Sequence, residues 1–308
     1  MIRNLIRIIM ALLLVASVSC QNKQAQLVRS WKVGTSSGLF NDFSREEFDS
    51  FRKSGIECIE IGSGVFRDKS DEECKKWVED IRQKAEASGI EVWSIHLPFS
   101  RVYDISTLND TDRVNMISEC VRIINLCAPL KPGKFVIHGS AEPIADSIRQ
   151  QRISNSIASL KILASEARKV NGQLALECLP RTCLGNTADE LLQIVSAVGN
   201  DLGVCFDSNH LLKEKPEEFV AKTGSRIVTV HLSDFDGVDE RHWLPGTGII
   251  NWTEVVSELV KSGYQGPFMF EASKHKPESD GTVNPAKLTT PELYSSFEQI
   301  RENFLKTL

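Results

Sequence analysis

From about residue 31 the chain repeats one unit: a short β-branched or aliphatic run, a polar break, then a longer segment whose apolar residues recur at helical spacing. This alternation is the pattern of parallel βα units. It predicts eight strands, at Trp31–Ser36, Glu57–Gly62, Glu91–Leu97, Lys134–His138, Gln173–Leu179, Leu202–Asp207, Ile227–Leu232 and Pro267–Glu271. Ser44-Arg45-Glu46-Glu47 and Thr187-Ala188-Asp189-Glu190 have capping-box spacing, in which hydroxyl and acid reciprocally satisfy the unpaired N–H groups of a helix start. Gly89, Gly172 and Gly263 stand where helices should end on a left-handed residue. A last helix follows Thr290-Pro291, with Leu293, Phe297, Ile300 and Phe304 on one face. Eight units without a Pro/Gly/Ser-rich linker predict an α/β protein, a single (β/α)8 TIM barrel over residues 31–308, with Lys274–Thr289 its main irregular insertion.

Side-chain parity then locates the chemistry. Alternate residues of a barrel strand face the interior, so polar residues at C-terminal strand ends meet above the core. Leu174, Leu176 and Cys178 should face the helices, and Ala175 and Glu177 the interior. The same rule puts Phe206 out and Asp207 in, Val228 and Val230 out and His231 in, Phe268 and Phe270 out and Glu271 in; Glu60, His96 and His138 obey it too. A single strand-end Glu or His reads as an ordinary hydrogen-bonded structural group. Three carboxylates and several imidazoles buried together are costly without a compensating cation. Glu177, Asp207, His231 and Glu271 offer three oxygens and one nitrogen, a set suited to one divalent ion: Mn²⁺, Mg²⁺, Co²⁺ or Zn²⁺.

Composition narrows the class. The 308 residues are 41% hydrophobic and 25% charged, an ordinary globular balance, and the net charge of −5 with no long basic run argues against nucleic acid as a partner. The first residues are a targeting segment: Arg3 and Arg7 precede an uncharged apolar run, Ile8–Val18, which is too short to span a bilayer. Ser17-Val18-Ser19-Cys20 resembles a bacterial lipobox, with Ser17 where such motifs usually carry Leu. The expectation is a signal peptide over residues 1–19, lipidation at Cys20, a tether over 20–30, and an exported lipoprotein, periplasm-facing or on the outer membrane, that touches the membrane only through its anchor. Loss of the signal lowers 36 Lys and Arg to 34 against 41 Asp and Glu, a net charge of −7. The seven other cysteines form no CxxC pair, which argues against a disulfide framework and a thiolate zinc site, although Cys178 and Cys183 lie close enough in sequence to pair.

The strand ends LALECLP, CFDSNH, VHLSDFDG, RHWLPGTG and FMFEAS resemble the sugar phosphate isomerase/epimerase superfamily, the xylose-isomerase-like TIM barrels that include ketose 3-epimerases and hydroxypyruvate isomerase. The resemblance spans about residues 30–307 and rests on the ordered series Glu, Asp-x-x-His, His, Glu. It implies that Glu177, Asp207, His231 and Glu271 hold one divalent metal, and that His210 and Arg241 or His242 contact substrate, with His96, His138 and Glu60 in the sugar pocket. If a sugar's carbonyl and neighbouring hydroxyl chelate the metal, the enediolate formed on loss of the adjacent proton is stabilised, with Glu177 and Glu271 as base and acid. Return of the proton gives an isomerase or an epimerase; loss of a β-leaving group gives a keto-glycoside lyase. Arg181, Lys274 or Lys276 could supply one basic contact but form no clustered phosphate cradle, and sugar phosphates are mainly cytosolic, so an exported member is expected to act on an unphosphorylated sugar, keto-sugar or oxidised glycoside.

Two readings compete. The endonuclease IV branch of the superfamily, with three zinc ions, resembles this chain at His96, His138, Glu177, Asp207, His210, His231, His242 and Glu271, but has Asp where this chain has Glu240, and acidity argues against DNA. A non-catalytic carbohydrate-binding lipoprotein would keep the barrel and the ligands without exchanging an α-proton. Oligomeric state is open. Asn109 and Asn251 match glycosylation acceptors, though Asn251 reads better as a helix N-cap; Gly246-Thr247-Gly248 lacks the rest of a dinucleotide fingerprint. Trp243 is either a platform for a sugar ring or packed under its loop.

Overall fold

A computed structural model describes residues 21–277 and 283–308; the expected signal segment and lipidation site at Cys20 lie outside them. Eight parallel strands form one sheet: β1 (Val33–Ser36), β2 (Cys58–Gly62), β3 (Glu91–His96), β4 (Lys134–His138), β5 (Gln173–Glu177), β6 (Leu202–Asp207), β7 (Ile227–His231) and β8 (Phe268–Phe270). Their order is β7-β6-β5-β4-β3-β2-β1-β8. The sheet closes just beyond β7 and β8, where the Leu232 amide donates to Met269 O at 2.8 Å and the Glu271 amide donates to Leu232 O at 3.2 Å. The chain is therefore the (β/α)8 barrel that its periodicity predicts, and the closing seam fixes Glu271 at the C-terminal rim.

Outside the sheet run α1 (residues 21–29), α2 (Arg45–Lys53), α3 (Asp71–Ser88), α4 (Asp110–Cys127), α5 (Asp146–Lys169), α6 (Ala188–Val198), α7 (Pro216–Thr223), α8 (Trp252–Ser262) and α9 (Thr290–Leu305). The expected tether is thus largely helical, and Val28 of α1 is buried in the core, which anchors this segment to the barrel. The Ser44 and Thr187 hydroxyls accept the Glu47 and Glu190 amides. The acids do not reciprocate: Glu47 takes the amides of Asn41, Asp42 and Phe43, and Glu190 pairs with Arg149 at 2.7 Å. Complete boxes form at Ser70/Glu73 and Thr289/Glu292. Gly89 and Gly263 end α3 and α8 at positive φ, but Asn171 takes that role after α5, and Gly172 is small because the Phe135 ring would lie 2.5 Å from a Cβ.

The main core lies between sheet and helices, with Phe135, Phe206, Phe219 and Phe268 buried in it. A smaller cluster of Val136, Ala175 and Cys205 fills the barrel, and Val228 packs on it. Val228 was expected to face the helices. The β6–β7 register slips beside it, so that Val204 pairs with Ile227 and Cys205 with Thr229, and the extra residue turns inward over Gly203. The seven cysteines of the described residues are free and buried, so Cys178 and Cys183 are not joined. Within the insertion expected to be irregular, β9 (His275–Pro277) and β10 (Val283–Lys287) pair antiparallel.

Candidate functional site

Glu177, Asp207 and His231 are the last residues of β5, β6 and β7, and Glu271 directly follows β8. Parity and the closing seam bring all four to one point, with one donor atom from each within 4.8 Å of the others. His231 Nδ1 lies 2.8 Å from Glu271 Oε2, 3.4 Å from Glu177 Oε1 and 3.9 Å from Asp207 Oδ2. These four atoms are all buried without a hydrogen-bond partner; even the 2.8 Å pair is not aligned for one.

The outward-facing atoms of three of these side chains are satisfied. Glu177 Oε2 meets His96 Nε2 at 3.1 Å, and Asp207 Oδ1 accepts the amides of Asn209 and His210 at 2.7 and 3.2 Å. His231 Nε2 bonds Glu60 at 3.0 Å, and Glu60 accepts Ser94 Oγ at 2.7 Å. Bare oxygens and one imidazole nitrogen facing inward, with the imidazole's far nitrogen on a carboxylate, fit a divalent cation. Burial pushes the Asp207 carboxyl well above its usual range, partly opposed by His210. Burial also acts against charge on His231 and Glu271, yet their mutual attraction holds His231 well above and Glu271 well below their ordinary values. Without a cation, protons on these groups must compensate the carboxylates, and metal binding would displace them.

Further imidazoles surround Glu177: His138 Nε2 lies 3.3 Å from Oε2 and His210 Nδ1 lies 3.2 Å from Oε1. Glu177 and Glu271 line a cleft of about 340 Å³ with His138, His210, His242 and Phe99. His96 lies beside it, held between Glu177 and the Leu97 carbonyl. Two expected substrate contacts are placed elsewhere. Glu60 is 2% exposed behind His231 and orients that ring, while Arg241 Nε pairs with Asp236 at 2.8 Å, outside the cleft lining. Arg181 reaches the cleft, but its guanidinium meets Glu142, Asp239 and Glu240, each at 2.8 Å. Glu240 also lies 3.1 Å from His210 Nε2. Lys274 Nζ donates to the Phe40 carbonyl, and the side chain of Lys276 lies outside the description.

Two groups that sequence reasoning passed over hold the loop after β7. Fully buried Asp234 accepts the amides of Phe235, Gly246 and Ile250 and the Trp252 indole N–H. Gly248 packs against it so closely that a Cβ would come within 2.3 Å of the carboxylate, which accounts for Gly246-Thr247-Gly248 without a nucleotide. Asn209 Oδ1 accepts the amides of Arg241 and His242 at 2.8 and 3.1 Å and seats His242, whose φ is 51°. Trp243 pairs with Asp234 through the backbone, and Asn251 caps α8 as expected. A buried acid followed by a Gly-rich turn was the available signal.

A family model described as xylose isomerase-like TIM barrel matches residues 48–292. An uncharacterised protein of Methanocaldococcus jannaschii, MJ1311, is 30% identical over 206 residues, covering 64% of this chain and 68% of the relative. The fold is shared with a D-psicose 3-epimerase from Clostridium cellulolyticum H10 crystallised with D-tagatose (20% identity, TM-score 0.74, covering 89% of this chain and 99% of that one). It is shared as well with a 3-keto-D-glucoside 4-epimerase from E. coli (17% identity, TM-score 0.68, covering 88% and 99%).

Proposed function

The chain belongs to the xylose isomerase-like TIM barrel family, and from that premise we propose that it is a divalent-metal-dependent sugar isomerase or epimerase acting by α-proton transfer on an unphosphorylated or keto-sugar. The observation that carries this reading is the set of four inward-facing atoms that make no hydrogen bond, Glu177 Oε1, Asp207 Oδ2, His231 Nδ1 and Glu271 Oε2, which would hold the ion. Once bound, a divalent cation supplies Lewis-acid stabilisation to the negative charge that builds on a substrate oxygen as the neighbouring proton leaves.

The chain's own residues supply the rest. Glu177 is fixed by His96 and His138 at Oε2, so its carboxylate presents Oε1 to the site in one orientation. Glu271 keeps 26% side-chain exposure beside the cleft and is held ionised by His231, the state required of a group that accepts a proton. Both carboxylates line the cleft, which is the arrangement needed to remove a proton and return it. His138 and His242 line the cleft where sugar hydroxyls would sit, while both ring nitrogens of His210 are engaged, by Glu177 and Glu240. Arg181 is neutralised by three carboxylates, which supports a substrate without a phosphate. Export, with lipidation at Cys20, completes the proposal and places the substrate outside the cytosol.

The test is proton NMR in D₂O with the metal-loaded chain and a panel of ketoses and 3-keto-glycosides. Deuterium should enter next to the carbonyl and be lost in Glu177→Gln and Glu271→Gln, and the product separates isomerisation, epimerisation and elimination. Metal and sugar binding without exchange would make the chain a binding protein.

A further inference from the structure

Phe99 is a half-exposed aromatic at the edge of the candidate metal centre, with 51% of its surface open. Its ring stacks on His138 at 4.1 Å and 30°, and lies 4.8 Å from the His96 ring. It is also the shared wall of two cavities. One is the cleft over Glu177 and Glu271; the other, of about 350 Å³, lies toward β2 and is lined by Gly62, Ser63, Gly64, Arg67 and Tyr103. His96, which touches Glu177, forms part of the second cavity as well.

The glycines of that second cavity are not required by the backbone. Gly62 has φ −75° and ψ 136°, which any residue adopts, and a Cβ there would meet only Ser37 Oγ at 3.6 Å. A Cβ on Gly64 would meet nothing within 4 Å. Neither strain nor crowding accounts for the missing side chains, and what they leave is open space beside an aromatic face. A sugar ring needs such a place: an apolar face to stack on, with hydroxyl and guanidinium groups at its rim.

We infer that the cavity toward β2 is a second sugar subsite, so that the substrate is a glycoside whose reacting ring sits over Glu177 and Glu271 while the adjoining sugar passes across Phe99 into the Gly62–Arg67 pocket. This rests on the sugar-converting reading above and names its substrate class. The experiment is calorimetric titration of the manganese-loaded chain with D-glucose, cellobiose, maltose and trehalose. At least one disaccharide should bind about tenfold or more tightly than D-glucose. Gly64→Phe, which puts a bulky ring on the pocket's lining, should bring that affinity down to the level of D-glucose, and Gly64→Leu should fall between, with metal content and melting temperature checking the fold. Equal affinities, no binding, or a disaccharide preference untouched by Gly64→Phe overturns the subsite. Failure of the underlying reading is separately visible, as sugar binding without deuterium exchange.

Discussion

Glu60 never faces the cleft, yet the site depends on it. Its bond to His231 Nε2 sets which ring nitrogen is bare, so Glu60→Gln should weaken metal binding by roughly 10- to 100-fold without removing a ligand, as measured by competition with a chelating dye. His96 carries a second consequence. Burial lowers its pKa, but the hydrogen bond to Glu177 raises it to about 9 from an ordinary 6.5. The folded state then holds a proton that the unfolded chain releases near 6.5, so this stabilisation is complete below that pH and is lost as pH rises through about 9. Melting of the metal-free chain should therefore fall between pH 7 and 10, and His96→Gln should flatten that decline. The inward direction of Glu177, Asp207, His231 and Glu271 was legible in the sequence, because strand parity alone determines it. The direction of Arg241 was not, since a loop arginine goes to whichever acid lies nearest, here Asp236.

At the scale of elements, the strand ends supply the ligands and the loop after β7 supplies the rim. Asp234 ties that loop through four donors, so Asp234→Ala should cost at least about 3 kcal/mol in stability and open residues 236–250 to proteolysis. An intact loop with unchanged melting would show that the carboxylate does not organise it. Strand positions were readable from the alternation of Leu174, Leu176 and Glu177, which leaves little freedom for register. Val228 was not readable, because a one-residue slip against β6 reverses the parity below His231 while leaving His231 itself inward. Glu190 misled for a similar reason: capping-box spacing is local, and Arg149 from a neighbouring helix competes for the acid.

For the whole molecule, the barrel gathers His96, His138, Glu177, Asp207, His231 and Glu271 at one rim, with Glu60 behind His231, and closes on the seam that carries Glu271. The proposed lipid anchor at Cys20 has its own test: Cys20→Ala should move the protein from the detergent fraction to the soluble fraction in its host, and an unchanged partition would overturn the anchor. The metal centre itself rests on four buried atoms that make no hydrogen bond. Metal content per chain, measured after chelation and reconstitution with Mn²⁺ or Zn²⁺, tests it most directly. One tightly held ion, lost in His231→Ala, is expected; no ion, or three ions spread to His96 and to His210, Glu240 and His242, would overturn the single-metal centre.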